Sequence, residues 1–139
     1  MKQSTRLTDD QFLQQFENHR LDPASFNHLG HLRLAWLYLT KYQYAVAVDK
    51  ICTGIQTYAL SLGASDKFNK TITIAILQMI YIRQQQFTYK SWPSFVTNNP
   101  DIIEDVLSLL LAHYSKERLC SNLAKATFVK PDIKPIELH

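Results

Sequence analysis

Thr71-Ile72-Thr73-Ile74-Ala75-Ile76-Leu77-Gln78-Met79-Ile80-Tyr81-Ile82 is the stretch on which the fold turns. Its β-branched density and its Thr-Ile-Thr-Ile start favour a strand. Its length and the polar continuation from Arg83 to Gln86 favour a helix. A lone strand would find no obvious partner elsewhere in the chain. The stretch is therefore read as a helix over about 68–86, and the fold as all-α.

Working outward, the neighbouring segments agree. Eight of the eleven residues in Leu29–Leu39 are apolar and cover nearly the whole circumference of a helix. That helix, about 27–41, should be central and buried. Tyr44, Val48, Ile51, Ile55, Tyr58 and Leu62 recur at helical spacing over 43–62. Gly63 then stands where a left-handed cap is expected. Gly54 weakens this helix by up to ~1 kcal/mol against Ala, which a close helix crossing would offset. At the start, Thr8 and Gln11 form a capping box for a helix over about 8–19, broken by Leu21-Asp22-Pro23, with Pro23-Ala24-Ser25 suited to a short turn. Ser91 caps a short helix with Trp92 and Pro93 that stops before Asn98. Further helices are expected over 100–114 and about 116–126. The expected architecture is an all-α, single-domain bundle of about five to seven helices, with a tail over 127–139 running extended because of Pro131 and Pro135.

Composition bounds the function classes. A chain of 139 residues with 46% hydrophobic content can build a real core. The net charge is +3, from 15 basic residues scattered along the chain with no basic arm. Mild basicity of this kind does not argue for nucleic acid. Lys2 and Arg6 precede no apolar stretch, so no secretory signal is expected. The longest apolar runs, 29–39 and 72–82, fall short of the ~20 residues of a membrane span. Cys52 and Cys120 are far apart without a CxxC, and are expected to be two reduced, buried thiols in a cytoplasmic protein.

His28 and His31 share a helix face. They could supply two metal ligands, but a catalytic zinc site wants three protein ligands. Two histidines at a helix start, one capping or hydrogen-bonded and one solvated, describe the pair better. Arg33 points to the other side of the same helix, where a buried guanidinium needs a partner. Asp49, Glu104 and Asp105 are the candidates. Lys67, Thr71, Ala75 and Gln78 make a narrow stripe on an otherwise apolar helix, implying helix–helix hydrogen bonds or a lined cavity. Trp36, Tyr38, Phe68 and Tyr81 sit within apolar runs and are expected in the core. No Ser-His-Asp set, P-loop or dinucleotide fingerprint is present.

The run Phe26-Asn27-His28-Leu29-Gly30-His31-Leu32-Arg33-Leu34-Ala35-Trp36 resembles an uncharacterised family of small bacterial helical proteins. Its members carry F/W-x-H-x-x-H-L/V-R-x-A-W. The likeness continues at Gly54-Ile55, over 67–73, over 114–119, at Ser121 and Ala124, and at Phe128-Val129 and Pro131-Asp132. The resemblance implies a helical fold and points at a site, but implies no reaction. The family pattern Tyr-His-Glu-Thr would add a histidine and a carboxylate to the first histidine pair, a plausible metal set. This chain reads Phe68-Asn69-Lys70-Thr71 instead, with two of the four ligands replaced.

The expectation that follows is a helical domain binding a small, anionic molecule through His28, His31, Asn69, Lys70, Thr71 and Gln78. It takes no metal and no cofactor, and Arg33 is its structural ion pair. The alternatives are an enzyme, by metal-assisted hydrolysis or proton transfer at His28 or His31, and an interaction module. A homodimer is compatible with all three.

Overall fold

The structure, a computed structural model, describes residues 7–137, without the side chain of Ser65. Lys2, Arg6 and the last two residues of the expected tail, Leu138 and His139, lie outside the described residues. All regular structure among the described residues is helical, and the 71–82 stretch lies within a helix. None of these helices is long and apolar enough to cross a membrane. The chain divides into two compact units, one ending at Phe68 and the other beginning at Asn69.

The first unit holds α1 (Asp9–Glu17), a 3-10 turn (Pro23–Ser25), α2 (His28–Lys41), α3 (Tyr44–Ser61) and a second 3-10 turn (Ser65–Lys67). Local chemistry sets each boundary. The Thr8–Gln11 capping box starts α1, with both reciprocal bonds present. The Asn27 side chain accepts from the Gly30 amide and starts α2. Gly63 closes the segment after α3 at φ +69°, the left-handed backbone expected of it.

Helix α2 packs on α3, and α1 packs against both. Every residue from Leu32 to Leu39 is buried, as expected of a helix apolar on all sides. Phe12, Phe16, Leu34 and Ile51 are fully enclosed. Each such side chain contributes roughly 1.5–3 kcal/mol by leaving water. Gly54 marks the close crossing expected of it: a Cβ there would stand 2.8 Å from the Phe16 ring. The Tyr58 hydroxyl donates to the Leu21 carbonyl at 2.7 Å and fastens the loop after α1.

Arg33 is buried and ion-paired, but to none of the three carboxylates expected. Its partner is Asp9, at 2.9 Å, with a second bond from the same nitrogen to the Leu7 carbonyl at 2.8 Å. The guanidinium also lies 4.6 Å from the Phe12 ring centroid. Asp9 escapes a sequence reading because it serves α1 equally well as a first-turn acid.

The second unit holds α4 (Lys70–Gln86), α5 (Trp92–Asn98), α6 (Pro100–Leu111), α7 (Lys116–Leu119) and α8 (Asn122–Ala126). Helix α4 packs against α6 and α8, and α5 against α6. Two expectations need correction here. The helix expected over 100–114 ends at Leu111 and is kinked at Asp105, whose backbone leaves helical geometry. The helix expected over 116–126 is two short ones, because Ser121 starts a fresh cap by accepting from the Ala124 amide. A further correction concerns Cys120. Cys52 is buried, but Cys120 is exposed where α7 ends, and both are free thiols.

Over residues 128–137 the chain carries no helix, and side chains of its own unit hold it. Thr71 donates to the Thr127 carbonyl (2.8 Å) and accepts from the Val129 amide (3.1 Å). Tyr114 donates to the Val129 carbonyl (2.7 Å). The Asp132 carboxylate accepts from both the amide and the hydroxyl of Ser115. These bonds hold its carboxyl below the usual range.

Candidate functional site

The six residues read from sequence as one ligand set fall into both units. His28 and His31 open α2 in the first, while Asn69, Lys70, Thr71 and Gln78 belong to α4 and its cap in the second. Asn69 accepts from the Ile72 amide and donates to the Leu119 carbonyl. Thr71 is fully buried and bonded on both sides, as described above. Lys70 and Gln78 are half-buried.

His28 is exposed. His31 Nδ1 lies 2.9 Å from the Asn27 carbonyl. A carbonyl only accepts, so Nδ1 carries the proton and the neutral ring presents a lone pair at Nε2. The ring stacks on Phe26 with centroids 3.9 Å apart. Desolvation lowers the His31 pKa, opposed by the Asn27 bond and helped by the nearby charge of His28. Among the described residues, no three His, Cys, Asp or Glu side chains gather where they could hold a metal ion.

A second feature of the first unit is an open cleft of about 350 Å³ between α1, α2 and α3. From α1 come Phe16 and Glu17, with His19 just beyond; α2 supplies Tyr38. Asp49, Lys50, Thr53, Gly54 and Thr57 come from α3. The last five recur at i, i+4 and i+8, so one face of α3 forms a wall. Gly54, lacking a side chain, lets the Phe16 ring pack directly against its backbone, where a Cβ would stand 2.8 Å from the ring.

Tyr38 is buried, yet its hydroxyl reaches the cleft and donates to Glu17 Oε2 at 2.5 Å. Burial first, and then this bond, push the phenol pKa far up. The hydroxyl therefore remains a donor at any working pH. One turn along α2, Tyr42 stacks against Tyr38, and the Lys50 ammonium lies 4.9 Å from the Tyr42 centroid.

His19 closes α1 in the left-handed region at φ 57°, and is the one non-glycine residue with positive φ among the described residues. Its amide donates to Phe16 O and that of Arg20 to Gln15 O. This is the position where glycine is usual. A residue with a Cβ costs roughly 1–2 kcal/mol there. In this fold the position places an imidazole on the cleft wall.

Sequence reading missed Glu17, His19, Tyr38, Asp49 and Lys50. Two signals were present. The first is a helix that ends at Asn18-His19 without a glycine; the second is the Asp49–Thr53–Thr57 polar stripe along one face of α3.

No family model, curated protein or solved structure matches this chain. The resemblance to the family of small helical proteins rests on the residues quoted for it.

Proposed function

We propose that this chain is a small-molecule-binding protein whose first unit carries the site, in the cleft between α1, α2 and α3. The observation that carries this reading is the Tyr38–Glu17 pair, a fixed donor and acceptor set on the wall of a concavity. Sites for small ligands fix orientation with a few placed polar groups of this kind. The non-glycine residue at His19 supports it, since a strained backbone position tends to be kept where its side chain is used. A cytoplasmic location belongs to the same reading.

The test is a fragment library screened by thermal shift against the whole chain and against Thr53→Trp, which fills the cleft from an exposed position. Fragments that stabilise the native protein and lose their effect in Thr53→Trp support the site. Fragments that stabilise both alike place binding elsewhere.

A second reading, proton transfer with His31 Nε2 as base, is favoured by the pinned Nδ1–H and the lowered pKa. An imidazole ¹⁵N spectrum with the proton on Nε2 would remove it. A homodimer is compatible with either reading and is decided by gel filtration.

A further inference from the structure

Helix α6, in the second unit, is rich in apolar residues and poor in cover. Seven of its twelve residues are aliphatic, yet only Ile102 and Leu110 are buried. It packs on α4 and α5, and Leu107 is left 57% exposed with Leu111 part-exposed. Beyond the kink at Asp105 these two leucines are four apart and share one stripe. Ile133, also exposed, stands at the Leu111 end, since its amide donates to the His113 carbonyl at 3.0 Å. An unpartnered apolar stripe of this kind marks a contact surface.

The charges at the two ends of the stripe say what covers it. One turn before Leu107 stands Glu104, exposed and without an ion pair among the described residues. Asp101 and Asp105 are already engaged, by Arg83 and Ser108. Beyond Leu111 the sign reverses. Lys134 is tied there by its backbone: its amide donates to the His113 carbonyl at 3.2 Å, and its carbonyl lies 2.9 Å from His113 Nδ1. Lys134 and Lys116 are both exposed, and neither has an ion pair among the described residues. A stripe acidic at one end and basic at the other is complementary to itself when two copies run antiparallel. That arrangement also sets the two helix dipoles head to tail.

We infer that α6 is the contact face of a two-fold homodimer. Leu107 of each copy packs against Leu111 of the other. The same register sets position 104 opposite position 114, next to the His113 that holds Lys134, so Glu104 of each copy faces Lys134 of the other. One short helix per copy buries less than the roughly 1,200 Å² of a standard interface, so the dimer is weak and reversible.

Sedimentation equilibrium of the whole chain, carried to millimolar concentration, tests this. The expected result is a monomer–dimer equilibrium that weakens with added salt. Leu107→Lys should weaken it roughly tenfold or more. Leu123→Lys, at an equally exposed leucine on α8, should leave it unchanged. The charge pairing has its own test, in variants at exposed positions. Glu104→Lys and Lys134→Glu each set like charges opposite one another in their own dimers, and each alone should stay monomeric. In their equimolar mixture every such pair is again of opposite sign, and association should return. A chain that is monomeric at every concentration overturns the inference and leaves the face to a protein of another sequence. A dimer indifferent to Leu107→Lys overturns it by placing the contact elsewhere. A mixture that associates no more tightly than either charge variant alone also overturns it, because an antiparallel copy is then not the occupant.

Discussion

The Tyr38 hydroxyl donates to Glu17 at 2.5 Å, joining the last turn of α2 to the last residue of α1. The two lie 21 positions apart in sequence. The bond forms because α1 and α2 pack with Phe12, Phe16, Leu32 and Tyr38 buried. The same packing that buries the phenol ring presents its hydroxyl at the cleft. Core formation and the recognition geometry of the first unit are therefore one event.

Arg33→Ala should destabilise the protein by roughly 3 kcal/mol, through the loss of the buried guanidinium's bonds to Asp9 and the Leu7 carbonyl and of its packing over Phe12, with the exposed Asp9 left in solvent. Arg83→Ala should cost less, about 1.5–3 kcal/mol. Arg83 is not a solvated tail residue: it binds Asp101 through two nitrogens, at 2.7 and 3.1 Å, and Asn99 at 2.8 Å. That bidentate bond raises the Arg83 pKa and lowers that of Asp101. Its side chain is 27% exposed, against 8% for Arg33, and this difference sets the order. Urea midpoints of the two variants measure it; equal midpoints would contradict it.

Gly54→Ala should destabilise, although alanine is the better helix former by up to ~1 kcal/mol. The new Cβ would meet Phe16 Cε2 at 2.8 Å and Cζ at 3.1 Å. Overpacking of this kind costs typically ~1–3 kcal/mol. Adding Phe16→Leu should recover part of the loss. Thermal melts of the single and double variants decide it, and a stabilised Gly54→Ala would show that the ring moves freely.

Thr71→Val keeps the shape but removes the oxygen that accepts from the buried Val129 amide. The stranded amide should cost about 1–3 kcal/mol. Thr71→Ser should cost much less, since it retains both bonds. Hydrogen exchange at Val129 should speed up in the valine variant alone.

His31 gives the pH dependence a sign. Its folded pKa lies below the ordinary 6.5, so between the two values the unfolded chain binds more protons. Stability then rises with pH across that interval and is lost as pH falls from about 6.5 toward the folded pKa. His31→Gln should flatten this part of the curve. A slope just below pH 6.5 that His31→Gln leaves unchanged would contradict the buried, neutral imidazole.

Much of the fold was legible because helix signals are local. The capping box at Thr8, the all-round apolar Leu29–Leu39 and the left-handed Gly63 each act within a turn of their own residue. The 71–82 stretch was harder, since β-branched residues tolerate either state, and its length and polar continuation correctly favoured a helix. The break at Ser121 was missed because a serine serves equally inside a short helix or at the head of one. The site was less legible for a different reason. Glu17, Tyr38 and Asp49 belong to three helices, and only packing brings them together. Thr71 stands out in the sequence as a polar residue on a buried helix and Asn69 through the family pattern, and hydrogen bonds within their own unit account for both.

The central claim, that the cleft between α1, α2 and α3 is the ligand site, is tested most directly by ¹H–¹⁵N spectra of the whole chain recorded with fragments of mixed charge. The account predicts saturable shifts concentrated at Glu17, Tyr38, Asp49, Thr53 and Gly54, abolished in Thr53→Trp. Shifts gathered at His28 and His31 with those residues unmoved, or no saturable shift at the cleft from any fragment, would contradict it.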